Sequence, residues 1–180
     1  MKSIEGENLI LKQVEEKDAE YISKWFSDKE QNKYMSTFVR TRDHPIEKIR
    51  EEIINSNENF ERLFMIYLKG YCNPIGHCGI DDLDLHDKRG EIFFIIGEKE
   101  FQGKGYGKET AKLLLKLGFE KLGLNTLFAT ATLENVSSIK TLEKVGFKYI
   151  GIRREYNFIN DKYLDEILFD ITRKDYEKNE

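Results

Sequence analysis

From Glu91 to Thr132 the chain reads as strand, glycine-rich loop, helix and strand in succession. Nothing else in the sequence limits the fold as much. Glu91–Gly97 is an apolar run of strand length. Gln102-Gly103-Lys104-Gly105-Tyr106-Gly107 follows, with three glycines in five residues. Tyr106–Leu122 then places Ala111, Leu114, Leu115, Gly118, Phe119 and Leu122 on one helical face. Lys108, Glu109, Lys112, Lys116 and Glu120 cover the other. Gly123 is positioned to end this helix, and Thr126–Thr132 is the next strand. Two strands joined through a helix run parallel, with a right-handed crossover.

The flanking segments read as hairpins and helices. Leu9–Gln13 is a strand. Asp18–Phe26 is a helix with Ala19, Ile22, Trp25 and Phe26 on one face. Pro45 suits the first turn of a second helix, striped by Ile46, Ile49, Ile53 and Ile54. Leu63–Leu68 and Ile75–Leu83 are strands, with turn signals at Asn73-Pro74 and at Asp87-Lys88-Arg89-Gly90. Asn135 caps a short helix over Val136–Lys144. Phe147–Tyr156 and Tyr163–Thr172 close the chain. The order β-α-α-β-β-β-α-β-α-β-β describes one α/β domain over residues 1–180. Its sheet is mixed, with helices on both faces.

Hydrophobic residues at 39% can fill a core, and the net charge of −4 argues against a general nucleic-acid binder. Cys72 and Cys78 do not form a CxxC pair, and no Cys/His spacing completes a zinc site. No apolar run has the length of a signal peptide or a membrane span, so the expected location is the cytoplasm.

A glycine-rich turn opening a helix is a cradle for phosphate. The backbone can approach the ligand closely, and the helix N-terminus offers unpaired N–H groups and partial positive charge. Counting from Gly103, both the third glycine of a dinucleotide fingerprint and the second glycine of a P-loop would fall on Lys108. Gln-x-x-Gly-x-Gly, here Gln102, Gly105 and Gly107, does fit. It resembles the acyl-CoA loop of the GNAT superfamily of N-acetyltransferases. Glu91-Ile92-Phe93-Phe94-Ile95-Ile96-Gly97 is similar to that family's central strand. Asn135-Val136-Ser137-Ser138 resembles its N-x-x-S segment, and Leu142-Glu143-Lys144-Val145-Gly146-Phe147 resembles its helix end. Arg154-Glu155 with Asn160-Asp161-Lys162-Tyr163-Leu164-Asp165 resembles the branch holding ribosomal-protein N-terminal acetyltransferases. The match runs in order through nearly the whole chain.

The resemblance implies a mostly antiparallel sheet of six to seven strands, in which a central parallel pair, Glu91–Gly97 and Thr126–Thr132, splays apart around acetyl-CoA. Backbone groups of Phe94, Ile95 and Ile96 would bond the pantetheine arm as an added strand. Gln102 and the amides of Gly103, Lys104, Gly105, Tyr106, Gly107 and Lys108 would hold the pyrophosphate. Lys104 and Lys108 would add charge, or simply stand in solvent. Asn135 and Ser138 would contact the cofactor, or serve only as helix cap and bystander.

Attack on a thioester needs an amine freed of its proton and a donor for the developing oxyanion. Glu91 is the first candidate base; its alternative is a solvated strand end beside Arg89. Glu155 is the second, with an ion pair to Arg153 or Arg154 as its alternative. The family often places a tyrosine acid four residues after Ser138. This chain has Leu142 there, leaving Ser138, Tyr156 or water.

The acceptor is a primary amine: a polyamine, an amino sugar or aminoglycoside, or a protein N-terminus. A small amine fits the absence of a strongly basic composition. No metal, nucleic acid or membrane is implied. A homodimer through an edge strand near the C-terminus is compatible. The other reading is a catalytically silent acyl-CoA-binding or regulatory domain on the same fold, which Leu142 keeps open. Two further segments carry weaker signals. Asp81–Asp87 is dense in carboxylates but lacks the pattern of a calcium loop, and a solvated hairpin is the simpler reading. Tyr34-Met35-Ser36-Thr37-Phe38 would lie on the acceptor side. His44, His77 and His86 form no triad.

Overall fold

The computed structural model describes residues 3–35, 37–59 and 63–178, with the side chains at 37, 38 and 56–59 excepted. The strands are β1 (Ser3–Glu5), β2 (Leu9–Gln13), β3 (Leu63–Leu68), β4 (Pro74–Asp84), β5 (Arg89–Ile96), β6 (Thr126–Thr132), β7 (Lys148–Ile159) and β8 (Lys162–Thr172). The helices are α1 (Ala19–Ser27), α2 (Lys29–Asn32), α3 (Thr37–Thr41), α4 (Ile46–Asn59), α5 (Tyr106–Lys116), α6 (Val136–Lys144) and α7 (Arg173–Lys178).

The eight strands follow the order β1-β2-β3-β4-β5-β6-β8-β7. β1/β2, β2/β3, β3/β4, β6/β8 and β7/β8 are antiparallel, and β5/β6 is parallel. This is the mixed, mostly antiparallel sheet the sequence implied, with one strand more than the six to seven expected. The additional strand is β1, whose three residues are too few to display an alternation. Contacts divide the chain into two compact units, Met1–Gly79 with Phe94–Thr110, and Ile80–Phe93 with Ala111–Glu180.

In the first unit Leu9 and Leu11 of β2 are fully buried, as are Phe64, Met65 and Ile66 of β3. Ala19, Ile22 and Trp25 of α1 pack with Ile49 and Ile53 of α4, Val14 and Met65. Phe26 and Ile46 lie partly buried against that cluster, whereas Ile54 is 40% exposed and leaves the expected stripe. Reciprocal bonds between Glu15 and Asp18 cap the turn entering α1: Asp18 N–H donates to Glu15 O at 2.8 Å, and Glu15 N–H to Asp18 Oδ2 at 2.9 Å. The Pro45 carbonyl accepts from Lys48 and Ile49 as α4 opens. The short helices α2 and α3 carry no periodicity that a sequence reading could detect. Ser36 lies outside the described residues.

In the second unit β6 pairs with β8 along its whole length, from Thr126↔Thr172 to Thr132↔Glu166. The helix begun as α5 continues as a π-helical turn, Leu117–Lys121. There Gly118 meets the sheet: a Cβ on it would stand 2.7 Å from Leu127 Cδ1. Gly123, at φ +68°, ends the helix as expected. The Arg173 guanidinium donates to the Phe119 and Leu124 carbonyls at 2.6 and 2.7 Å, satisfying acceptors that the helix end leaves open. Among the described residues no helix is long and apolar enough to cross a membrane.

Candidate functional site

The predicted phosphate loop lies in the first unit. Gly103 has φ +72° and Gly105 φ +91°, a region that side-chain-bearing residues rarely enter. Nothing lies within 4 Å of a Cβ built at either position, so backbone angle, not crowding, is what calls for glycine there. A Cβ on Gly107 would meet Phe94 Cε2 at 3.4 Å, an ordinary contact. α5 begins at Tyr106, and Glu109 N–H donates to Gly105 O at 3.2 Å. The loop therefore delivers its backbone to the open end of an 11-residue helix.

Gln102 has a role that the sequence did not suggest. Its side-chain amide donates to Ile96 O at 2.8 Å and to Gln31 Oε1 at 3.3 Å. It ties the loop to the end of β5 and engages a carbonyl expected to bond the pantetheine arm. Lys104 and Lys108 are exposed, and Lys104 Nζ stands 5.6 Å from the Phe101 ring centroid. The Glu109 carboxylate accepts from the backbone N–H of Asn8 at 2.7 Å and of Leu9 at 3.0 Å. Those bonds tie the first turn of α5 to the start of β2. Gly76, which sequence reasoning missed, fixes the strand behind Phe94, Ile95 and Ile96. A Cβ there would stand 2.0 Å from Ile95 O and 3.0 Å from Ile96 Cα. Only glycine fits so close an approach of β4 and β5.

Glu91 lies in the second unit, in the part of β5 registered with β6. The parallel register is Arg89↔Thr126, Gly90↔Leu127 and Glu91↔Phe128. Beyond it β5 continues to Ile96 and β6 to Thr132. Glu91 is not a solvated strand end. It is partly buried, and Thr130 Oγ1 donates to its Oε1 at 3.2 Å. Burial raises its pKa, the Thr130 bond opposes the rise, and the charges of Asp81, Glu166 and Asp82 add to it. Arg89 is engaged elsewhere, 3.3 Å from Asp84 Oδ2. The readable signal for Thr130 was alternation: Thr126, Phe128 and Thr130 share a face of β6, opposite the buried Leu127 and Ala129.

Asn135 caps α6 as expected, its side-chain oxygen accepting from Ser138 N–H at 3.3 Å. Leu142 is 1% exposed. It fills core space and has no proton to give. Glu155 does not pair with Arg153: that guanidinium bonds Glu166 Oε2 at 2.8 Å. Glu155 sits in the irregular stretch between Arg153 and Asn157 at φ +52°, exposed, its backbone N–H donating to Asp165 Oδ1 at 2.8 Å. What is fixed there is its backbone. Tyr156 is 58% exposed, with Arg153 stacked 4.9 Å from its ring centroid.

The remaining candidates have structural partners. His77 is fully buried, stacked on Trp25 at 5.9 Å, and burial pushes its pKa down to about 4. Buried His44 has its Nε2 2.8 Å from Val39 O. Asp84, His86 and Asp87 bring ligand atoms within 4.8 Å of one another. Asp84 already accepts from the amides of His86 and Asp87 at 3.0 and 2.9 Å, which forms the hairpin turn.

The sequence profile of the acetyltransferase (GNAT) domain matches residues 8–148. The uncharacterized N-acetyltransferase p20 of Bacillus licheniformis is 30% identical over 180 residues, spanning 98% of this chain and 99% of that protein. Spermidine N(1)-acetyltransferase of Escherichia coli (strain K12) is 31% identical over 120 residues, 67% of this chain and 63% of that protein. In fold, the chain superposes on the crystal structure of spermidine N-acetyltransferase from Vibrio cholerae in complex with CoA and spermine. The TM-score is 0.81 at 24% identity, over 96% of this chain and 99% of that one. A profile match over most of the chain, a full-length relative and a shared fold all agree: the chain belongs to the GNAT acetyltransferase family and is an acyltransferase.

Proposed function

We propose that this protein transfers an acetyl group from acetyl-CoA to a primary amine on a small, positively charged acceptor of the polyamine class. The observation that carries the donor assignment is the loop at α5. Gly103 and Gly105, both at positive φ, open its N-terminus, and that geometry suits a pyrophosphate. In this reading the amides from Gly103 to Lys108 hold the phosphates and Lys104 and Lys108 supply charge. The backbone of Phe94, Ile95 and Ile96 meets the pantetheine arm, and the family resemblance makes Asn135 and Ser138 candidate cofactor contacts.

Glu91 acts as general base. A carboxylate takes a proton from the acceptor ammonium, and the freed nitrogen lone pair attacks the thioester carbonyl. The C–S bond breaks, the thiolate leaves with the electron pair, and it ends as the thiol after taking up a proton. The acetylated nitrogen sheds its second proton to give a neutral amide. Ser138 is the candidate donor to the thiolate, Leu142 having none. Glu155 ranks below Glu91 as base because it is exposed and is anchored through its backbone N–H, whereas the Glu91 carboxylate itself is held.

The carboxylates whose charges reach Glu91 support a cationic acceptor, as does the likeness to relatives named spermidine N(1)-acetyltransferases. A protein N-terminus is the competing acceptor. β7, outermost in the sheet, exposes Tyr149 at 60%, Ile150 at 55% and Ile152 at 44%, which supports pairing of two copies along it.

The test is calorimetric titration of acetyl-CoA, with ATP and NAD as controls, followed by CoA release on a panel of amines. Micromolar binding of acetyl-CoA alone, about −8 kcal/mol, and turnover with spermidine are expected. The polyamine kcat/KM should fall as salt rises, because the attraction is screened. Turnover on peptide N-termini and not on polyamines overturns the acceptor class.

A further inference from the structure

We propose that Thr130 is a positioning residue: its hydroxyl holds Glu91 in one orientation and leaves Oε2 as the oxygen that receives the acceptor's proton. The inference rests on the reading of Glu91 as base. Thr130 Oγ1 donates to Oε1 at 3.2 Å from the neighbouring strand β6. A hydroxyl hydrogen on one carboxylate oxygen fixes the plane of the group and favours its charged form.

The surroundings oppose that charge. Glu91 is partly buried, and the carboxylates of Asp81 and Asp82 on β4 and of Glu166 on β8 bear on it. Glu166, only 9% exposed, is itself paired with Arg153 on β7 at 2.8 Å and contacted by Asn157 Nδ2 at 3.5 Å. Arg153 thus answers the charge of Glu166, while the Thr130 hydroxyl answers that of Glu91. Burial and like charge push Glu91 towards the neutral acid, which cannot accept a proton. Thr130 is the counterweight: its hydrogen bond favours the charged carboxylate, the form that can accept a proton.

The experiment compares Thr130→Val, which keeps the shape and removes the donor, with Thr130→Ser, which restores the donor. Two readouts are taken: titration of the Glu91 carboxyl carbon by NMR in the free protein, and the pH profile of kcat/KM. In Thr130→Val the Glu91 titration and the acid limb of the profile move up together by about one pH unit, and Thr130→Ser brings both back. An unchanged Glu91 titration in Thr130→Val overturns the proposal. Glu91→Gln with wild-type turnover overturns the base reading instead. That failure is distinguishable, because Glu91 would still respond to Thr130 in the NMR titration.

Discussion

A carboxylate serves as a base only while it is charged, and Glu91 is held between forces of opposite sign. Burial and three like charges raise its pKa, while one hydroxyl lowers it. Glu91→Gln removes the charge and keeps the shape. Turnover should drop by about 10²–10⁴ while acetyl-CoA affinity stays within about twofold by calorimetry; equal turnover would remove Glu91 from the mechanism. With Glu91 as the proposed base, wild-type activity should fall as pH drops through a Glu91 pKa raised above the ordinary glutamate value, which a pH profile of kcat/KM checks. At the loop the governing quantity is backbone angle. Gly105→Ala puts a Cβ on a residue at φ +91° and should cost about 1–2 kcal/mol in urea unfolding. Gly107→Ala meets only an ordinary contact with Phe94 and should be close to neutral in the same measurement. Thr130 and Gly76 could be seen in the sequence as residue types, but not as neighbours of Glu91 and Ile95. Those contacts join positions 39 and 19 residues apart.

At the scale of elements, the strand–loop–helix–strand unit and α6 with its Asn135 cap were legible because each is announced locally. Apolar spacing, glycines and a capping side chain act within a few residues of one another. α2, α3 and β1 were not, because each is too short to show a period. The close passage of β4 and β5 at Gly76 is likewise invisible until the strands are paired. Gly76→Ala must push the Ile95–Ile96 backbone away, since the new Cβ would lie 2.0 Å from a carbonyl oxygen. A cost of about 1–3 kcal/mol is expected, with weaker acetyl-CoA binding. Gly151→Ala is the control, as nothing lies within 4 Å of its Cβ. Equal stability of the two variants in urea would show that β4 and β5 tolerate separation there.

For the whole molecule, stability carries a pH dependence set by His77. Its folded pKa is about 4, below the ordinary 6.5, because burial penalises the charged ring. Between those values the unfolded chain binds a proton that the folded chain does not. His77's contribution is therefore fully present above about pH 6.5 and is lost as pH falls towards 4, by about 3 kcal/mol. Urea midpoints measured from pH 7 to 4 should fall accordingly, and His77→Phe should flatten that part of the curve. A variant with the wild-type slope would place the dependence in a group other than His77, and not in Asp28 or Asp175. Their pKa values, lowered to about 2 by Lys99 and Lys148, act at more acid pH.

The sequence by itself determined the order of the longer strands and helices, the glycine-rich loop and the family resemblance. These are written in local periodicity and in residue types that a backbone angle or a helix end demands. The tertiary structure alone decided what each polar side chain answers to. Arg153 turns to Glu166 and not Glu155, Gln102 to Ile96, and Glu91 to Thr130. The physical reason is that hydrogen bonds and like-charge repulsion act over a few ångströms of space, whatever the separation along the chain.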